Sequence, residues 1–367
     1  MKNLKYVLDI GSSKISLLAC NVNKDKVLIV SSVDMGYDGF MDGEFLSQDG
    51  LVDVFRAILQ EMSARVNCPI EQVYVGVPGE FSACVCKRVT RSYMPCKKLT
   101  EEDVANLFDG VGDFNAKENY TVISYSPMQF ELDGCTTMQA VNRKVSELVM
   151  ECSYILVKNS FIDLAEKCLR ECGVKDIEYI SSVLAQAEFA IQKSSSVLQP
   201  MVIVDVGHIT TTVAVAKGEG LLMLSSFSLG GGHITADLMQ VDKLSYLEAE
   251  KIKRSVVLTV QAKKDERYIM YDNGKEINAL IGITNDVVNS RLENIASVVS
   301  RLLDNPMFDG LPIYLTGDGA SNFRGVVNLF EAVTGREVYL LKAPLDNGKD
   351  KYQTSKIGLA ELIGKIV

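Results

Sequence analysis

Two aspartates carry the chemistry that this sequence can do. Asp9 leads into Gly11, Ser12, Ser13 and Lys14 in DIGSSK, and Asp205 leads into Gly207 and Thr210 in DVGHIT. In both places the carboxylate sits at the end of an apolar run and a short polar turn follows. Backbone N–H groups and small hydroxyls of such a turn can surround phosphate oxygens while the carboxylate faces a hydrated Mg2+ ion. A single Asp-x-Gly turn is equally well an ordinary hairpin, so the pairing carries more than either member. A third glycine turn, Gly317, Asp318, Gly319 and Ala320, follows the apolar run LPIYL, and glycine there lets a flat ring approach the backbone.

The elements that must position these turns follow from periodicity. KYVLDIGSSKISLLACNV and MVIVDVGHITTTVAVAKGEG each read as strand, polar turn, strand, which marks an internal duplication. Gln48 to Val66 and Asn285 to Leu303 have helical spacing, and Thr100 with Asp103 forms a near capping box ahead of one more helix. TVISYSPMQFELDG and ECSYILVKNS read as strands of a small α+β unit, YDNGKE as a polar hairpin and DNGKDKYQTS as a loop.

With 367 residues and 47% hydrophobic content the chain has material for two packed domains, and no apolar run is long enough to span a bilayer. A net charge of -9 argues against nucleic acid as a partner. Two histidines leave little for a histidine-based metal site, and nine cysteines without CxxC pairs read as buried, reduced thiols.

The order of these motifs, with LGGGHITADL, EAEKIK, LTGDGA and the late YQTSKIGLAELIG, resembles the actin and Hsp70 superfamily, and within it the FtsA family of bacterial division proteins. The resemblance implies an α/β fold of the actin-like ATPase type. In it two duplicated ribonuclease-H-like domains flank a nucleotide cleft, with an α+β insertion called subdomain 1C. The implied segments are 1–79 for the first part of subdomain 1A, 80–160 for subdomain 1C and 161–197 for the rest of 1A. Residues 198–240 and 311–350 would form subdomain 2A, 241–310 subdomain 2B, and 351–367 a helix returning to 1A. Carried over, Asp9, Gly11, Ser12, Ser13 and Lys14 match the first phosphate loop and Asp205, Gly207 and Thr210 the second. Gly231 and Gly232 match the glycine pair before a helix, Glu250 and Lys253 the polar pair beside adenine and ribose, and Gly317, Gly319 and Ala320 the adenosine turn. Asp9 and Asp205 would face the metal.

What the resemblance implies in function is an ATP- and Mg2+-binding adaptor, at most a weak ATPase. It would form filaments and link FtsZ, through that protein's C-terminal peptide, to other division proteins at the cytoplasmic face of the membrane at midcell. Membrane contact is expected to be indirect or through a tail beyond Val367, because residues 357–367 read as a core helix. A PilM-like scaffold of a pilus or secretion machine is the alternative, and a sugar or acid kinase ranks last for want of a further catalytic carboxylate. The second loop departs from the family's D-I-G-G-G-T-T-D: Ile209 replaces a glycine, and a left-handed backbone there would be strained. Adjacent His208 reads as a loop cap or as a phosphate donor.

Overall fold

The computed structural model describes all residues except 1–3, 24–25, 38–39, 42–43, 110–118, 193–196, 261, 273, 344–351 and 367. The described chain packs into two compact units. The first gathers Met1–Met201, Ala214–Ser225 and Ser355–Val367; the second gathers Val202–Val213 and Ser226–Thr354.

The first unit is built on a five-stranded sheet in the spatial order Asp176–Ser181, Gln72–Val77, Leu4–Ile10, Lys14–Asn23, Lys26–Gly36. Leu4–Ile10 runs parallel to Gln72–Val77 and antiparallel to Lys14–Asn23, so Asp9 stands beside Gly76 on one side and Ser16 on the other. Leu8, Ile10, Leu17 and Val75 are fully buried or nearly so, as a sheet covered on both faces requires. One cover is the helix Gln48–Val66, whose Leu51, Phe55, Ile58 and Met62 recur at three- and four-residue spacing. Ser47 caps it by accepting the Gly50 N–H at 3.2 Å, and Asn67 ends it in the left-handed region at φ 52°. The other cover is Thr354–Ile366, with Leu359, Ala360 and Ile363 against Val7, Leu18 and Tyr74.

A second sheet in this unit has the order Ser82–Lys98, Lys144–Lys158, Tyr120–Leu132, Cys135–Thr137. The helix Glu101–Asp109 lies on it, started by the reciprocal Thr100 and Asp103 bonds expected of its capping box: the Asp103 N–H reaches the Thr100 hydroxyl at 3.2 Å and the Thr100 N–H reaches the Asp103 carboxylate at 2.9 Å. The segment CSYILV lies in the central strand Lys144–Lys158, paired on both sides.

The strands after the second aspartate follow the same plan as the first sheet. Their order is Gly220–Phe227, Thr211–Lys217, Met201–Val206, Ile313–Thr316, Val338–Leu340, a three-strand meander beside two parallel strands. Around the parallel strands the second unit carries the helices Gly231–Val241, Tyr246–Ser255, Ile281–Leu302 and Val326–Thr334. The helix expected from Asn285 starts four residues earlier, at Ile281, and the polar hairpin is Arg267–Asp272 with Lys275–Leu280. The loop read at DNGKDKYQTS falls mostly outside the described residues.

All nine cysteines are free thiols, as expected, but their burial is mixed: Cys20, Cys152 and Cys168 are buried, whereas Cys86, Cys96 and Cys135 are exposed. The exposed three lie on strands of the four-stranded sheet or at its margin, where alternate side chains face solvent.

Candidate functional site

The first turn belongs to the first unit. The Gly11 N–H donates to the Lys14 carbonyl at 2.9 Å, closing a tight connection between Leu4–Ile10 and Lys14–Asn23, and the exposed Ser13 gives its carbonyl to the Tyr37 N–H, also at 2.9 Å. Ser12 is buried beneath the turn. A Cβ on Gly11 would stand 3.0 Å from the Lys14 carbonyl oxygen.

Asp9 points from the strand end toward the first turn of the late helix, where Ser355 donates its hydroxyl to the carboxylate at 2.8 Å. Burial pushes the Asp9 carboxyl above its ordinary value, although the Ser355 bond and the Lys356 and Lys14 charges work against that. Beside it Lys356, itself buried, bonds Asp34 at 2.6 Å. Burial would raise the Asp34 carboxyl as well, but hydrogen bonds from Lys356 and Ser16 and the charges of Lys356 and Lys14 hold it below the usual range. Two carboxylates and two ammonium groups thus form one electrostatic cluster around the turn. Asp34, Ser355 and Lys356 were not singled out from the sequence; the available signal was a lysine on the otherwise apolar face of KIGLAELIG.

The second turn belongs to the second unit and closes in the same way, with the Gly207 N–H on the Thr210 carbonyl at 2.9 Å. A Cβ on Gly207 would also stand 3.0 Å from that carbonyl oxygen. Its fastening differs. The Gly231 N–H donates to Gly207 O at 2.9 Å, the Gly232 N–H to His208 O at 2.6 Å and the Gly319 N–H to Val206 O at 2.8 Å. Three glycine segments distant in sequence are therefore stitched backbone to backbone. Gly317, at φ +88°, lies with its Cα against the Asp205 carboxylate: a Cβ there would come 2.3 Å from Asp205 Oδ1. On Gly319 a Cβ would come 2.1 Å from Gly207 O, and on Gly231 it would meet Gly319 Cα at 2.6 Å. Ala320 is fully buried behind this turn.

Glu250 and Lys253 face inward on the helix Tyr246–Ser255. Lys253 Nζ donates to the Gly231 carbonyl at 3.0 Å and to Thr235 Oγ1 at 2.7 Å, and it pairs with Glu250, to which Thr235 also bonds. Lys253 and Glu250 thus hold the start of the helix Gly231–Val241 in place. Burial opposes the charge on Glu250, but the Lys253 ammonium holds its carboxyl below the usual range. Thr235, fully buried at the centre of this network, was missed in the sequence.

Ile209 is not among the described residues with positive φ, so the expected strain at that position is absent. The reason is local: Gly207 and Thr210 close the connection without a left-handed residue between them. The His208 ring lies over Gly232, whose Cβ would stand 2.7 Å from Nε2, and edge-on to Tyr246 at 6.4 Å.

Among the described residues no cluster of three or more His, Cys, Asp or Glu side chains could hold a metal ion, and no helix is long and apolar enough to cross a membrane. The donors around Asp9 and around Asp205 are instead of the kind that suit a hydrated hard cation and phosphate: carboxylates, hydroxyls and glycine backbone.

Comparison with known proteins agrees with this architecture. Residues 202–357 match the family model of the cell division protein FtsA. The cell division protein FtsA of Bacillus subtilis is 23% identical over 98% of this chain and 83% of its own length, and that of Streptococcus pneumoniae 21% identical over 98% and 80%. Among solved structures, the PilM-PilN type IV pilus biogenesis complex aligns over 99% of both chains with a TM-score of 0.64 at 17% identity. MreB5 of Spiroplasma citri bound to ADP aligns over 99% of this chain and 97% of its own with a TM-score of 0.56 at 12% identity. Over nearly its whole length, then, the chain is similar in sequence to FtsA cell division proteins, and its fold is the actin-like one of these solved structures.

Proposed function

We propose that the chain is an FtsA-like actin homologue that binds ATP with Mg2+, self-assembles into filaments and links FtsZ, through its C-terminal peptide, to other division proteins during septum formation. The observation that carries the nucleotide reading is the duplicated turn: each aspartate precedes a connection closed by the same 2.9 Å glycine-to-carbonyl bond, and each turn is fastened from elsewhere in its own unit. Solved relatives on the same fold are described as bound to ADP and to AMPPNP, which supports the same ligand class here.

In this reading Gly11, Ser12, Ser13 and Lys14 in the first turn and Gly207 and Thr210 in the second would contact phosphate, and Asp9 and Asp205 would hold a hydrated Mg2+ ion. Gly317, Gly319 and Ala320, with Gly231 and Gly232, supply the backbone surface for adenosine, and Glu250 with Lys253 keeps that surface in shape. Bound Mg2+ neutralises phosphate charge; the protein's part is to hold and desolvate. Hydrolysis is slow, because a hydrolase orients water against the γ-phosphate with a polar group and the second loop offers Ile209 and Thr212 where family members have glycine and aspartate. The protein works at the cytoplasmic face of the membrane at midcell. Calorimetric titration of ATP with Mg2+ tests the site: affinity is expected for the native chain and lost in Asp9→Ala. Unchanged affinity in that variant would sink the assignment.

A PilM-like scaffold role is the second reading, favoured by the match to the PilM-PilN complex across 99% of both chains. A pull-down separates the two. Retention of FtsZ's C-terminal peptide supports division, whereas retention of a short N-terminal peptide from an inner-membrane pilus protein supports the scaffold.

A further inference from the structure

Cys84 and Cys86 stand two residues apart on the strand Ser82–Lys98, so their side chains leave the same face of the sheet. Both thiols aim at one atom: Cys84 Sγ lies 2.9 Å and Cys86 Sγ 3.3 Å from the Leu221 carbonyl oxygen. Leu221 is fixed there because its N–H donates to the Ser153 hydroxyl at 3.0 Å. Ser153 is the cross-strand neighbour of Cys86, and the nearby ion pair of Lys217 with Glu151, at 3.2 Å, occupies the carboxylate on that face. The two thiols are therefore held convergent by the fold, with one half-buried and the other exposed to solvent. Nothing in the nucleotide reading uses them.

We propose that Cys84 and Cys86 form a two-thiolate site for a soft monovalent cation of the Cu(I) class. The choice of ion follows from ligand count and softness. Thiolates select soft ions, and a pair of sulfurs without a third ligand suits a two-coordinate centre better than zinc, which takes four. No third His, Cys, Asp or Glu joins the pair among the described residues. Closure by a disulfide is the poorer outcome. Two residues of extended strand separate their Cα atoms by about 6.6 Å, at the outer limit for an S–S bond, whereas an ion between the sulfurs spans a wider gap. The balance is simple: two S–H bonds break, two S–Cu bonds form, two protons pass to solvent and copper stays Cu(I). Binding withdraws both hydrogen bonds from the Leu221 carbonyl.

The test is an anaerobic titration of the reduced full-length chain with Cu(I) against a chromophoric Cu(I) chelator. The expected result is one tightly held equivalent, with two protons released in weak buffer. Cys84→Ser and Cys86→Ser should each lower affinity by at least about a hundredfold, the upper end of what loss of a mere supporting group costs. Serine keeps a hydroxyl that can donate to Leu221, so both variants should melt like the parent. Cys96→Ser and Cys135→Ser, at exposed cysteines elsewhere, should leave the equivalent in place. Retention of the tight equivalent in the Cys84→Ser/Cys86→Ser double variant, or its loss in Cys96→Ser or Cys135→Ser, would overturn the proposal.

Discussion

The two aspartate turns close with the same bond length and are held shut by different physics. At Gly11–Lys14 a single backbone bond, the Tyr37 N–H on the Ser13 carbonyl, is joined by polar side chains from a helix at the far end of the chain: the Ser355 hydroxyl on Asp9 and the Lys356 ammonium on Asp34. At Gly207–Thr210 it is backbone on backbone, from Gly231, Gly232 and Gly319. A side-chain fastening can be retuned by pH or by substitution in small steps. At Gly231 and Gly319 the stitch has no such gradation, because the space a Cβ needs there is already filled by main chain. The first turn should therefore degrade gradually and the second abruptly.

Gly319→Ala is the severest way to break that contrast. Its new Cβ would meet Gly207 O at 2.1 Å and Val206 O at 2.6 Å, and neither atom can move without opening the second turn. We expect a loss of about 3 kcal/mol in stability and no measurable ATP affinity. Thermal melts and calorimetry check it; a melting temperature within a degree of the parent would show that the stitch is slack.

Lys356→Met comes next. It strands Asp34, whose side chain is 38% exposed, so the cost should fall between that of a surface pair and a buried one, about 1–2 kcal/mol. The sign of the pH effect follows from the lowered Asp34 carboxyl. Stability from this pair is fully present above the ordinary carboxylate value of about 3.9 and is lost as pH falls through the depressed folded value. The native chain's melting temperature should drop in that acid window more steeply than the variant's; parallel curves would remove Asp34 from the account.

How much of this was legible beforehand depended on sequence distance. The turns were readable because Asp, Gly and small hydroxyls interrupt apolar runs, and the capping pair Thr100 with Asp103 because its partners lie three residues apart. The late helix was read as core, and it is. Its role in fastening was not, because Ser355 meets Asp9 across 346 residues and no local pattern records such a meeting. Thr235 was hidden for a related reason: a buried threonine on a helix looks like any other until the lysine and glutamate beside it are placed. Ile209 was misjudged because a glycine in relatives suggested a left-handed backbone that the turn does not adopt.

Asp9→Asn should separate binding from stability at the first turn. Burial raises the Asp9 carboxyl, so the folded state holds that proton more tightly than the unfolded chain and ionised Asp9 costs stability above the ordinary carboxylate value. Asparagine keeps an oxygen for the Ser355 hydroxyl and removes the buried charge. The ligand-free protein is expected to gain up to about 1 kcal/mol while ATP with Mg2+ no longer binds. A fall in melting temperature would mean that the charge is compensated by Lys14 and Lys356 more fully than burial disfavours it.

The smallest effect sharpens the comparison at the joint behind Asp9. Gly76, the parallel neighbour of Asp9, is pressed between the late helix and Ser182: a Cβ on it would come 2.5 Å from Leu359 Cδ1 and 2.7 Å from Ser182 Oγ. Ser182 opens the helix Ser182–Ile191, is buried, and its hydroxyl has no hydrogen-bond partner among the described residues. A buried hydroxyl without a partner carries an uncompensated desolvation cost, so replacing it with a methyl group of nearly the same reach should be neutral or favourable. Ser182→Ala is expected to change stability by less than about 1 kcal/mol, toward the stable side, and to leave ATP affinity unchanged. Gly76→Ala, by contrast, needs room from Leu359, a side chain that can rotate, and should cost about 1–2 kcal/mol rather than collapse the unit. In the double variant the two changes should be non-additive because they share one contact. Equilibrium unfolding of the two singles and the double measures that coupling. A Ser182→Ala loss above about 1 kcal/mol would reveal a partner for the hydroxyl, and a Gly76→Ala loss as large as that of Gly319→Ala would erase the distinction between a side-chain joint and a backbone stitch.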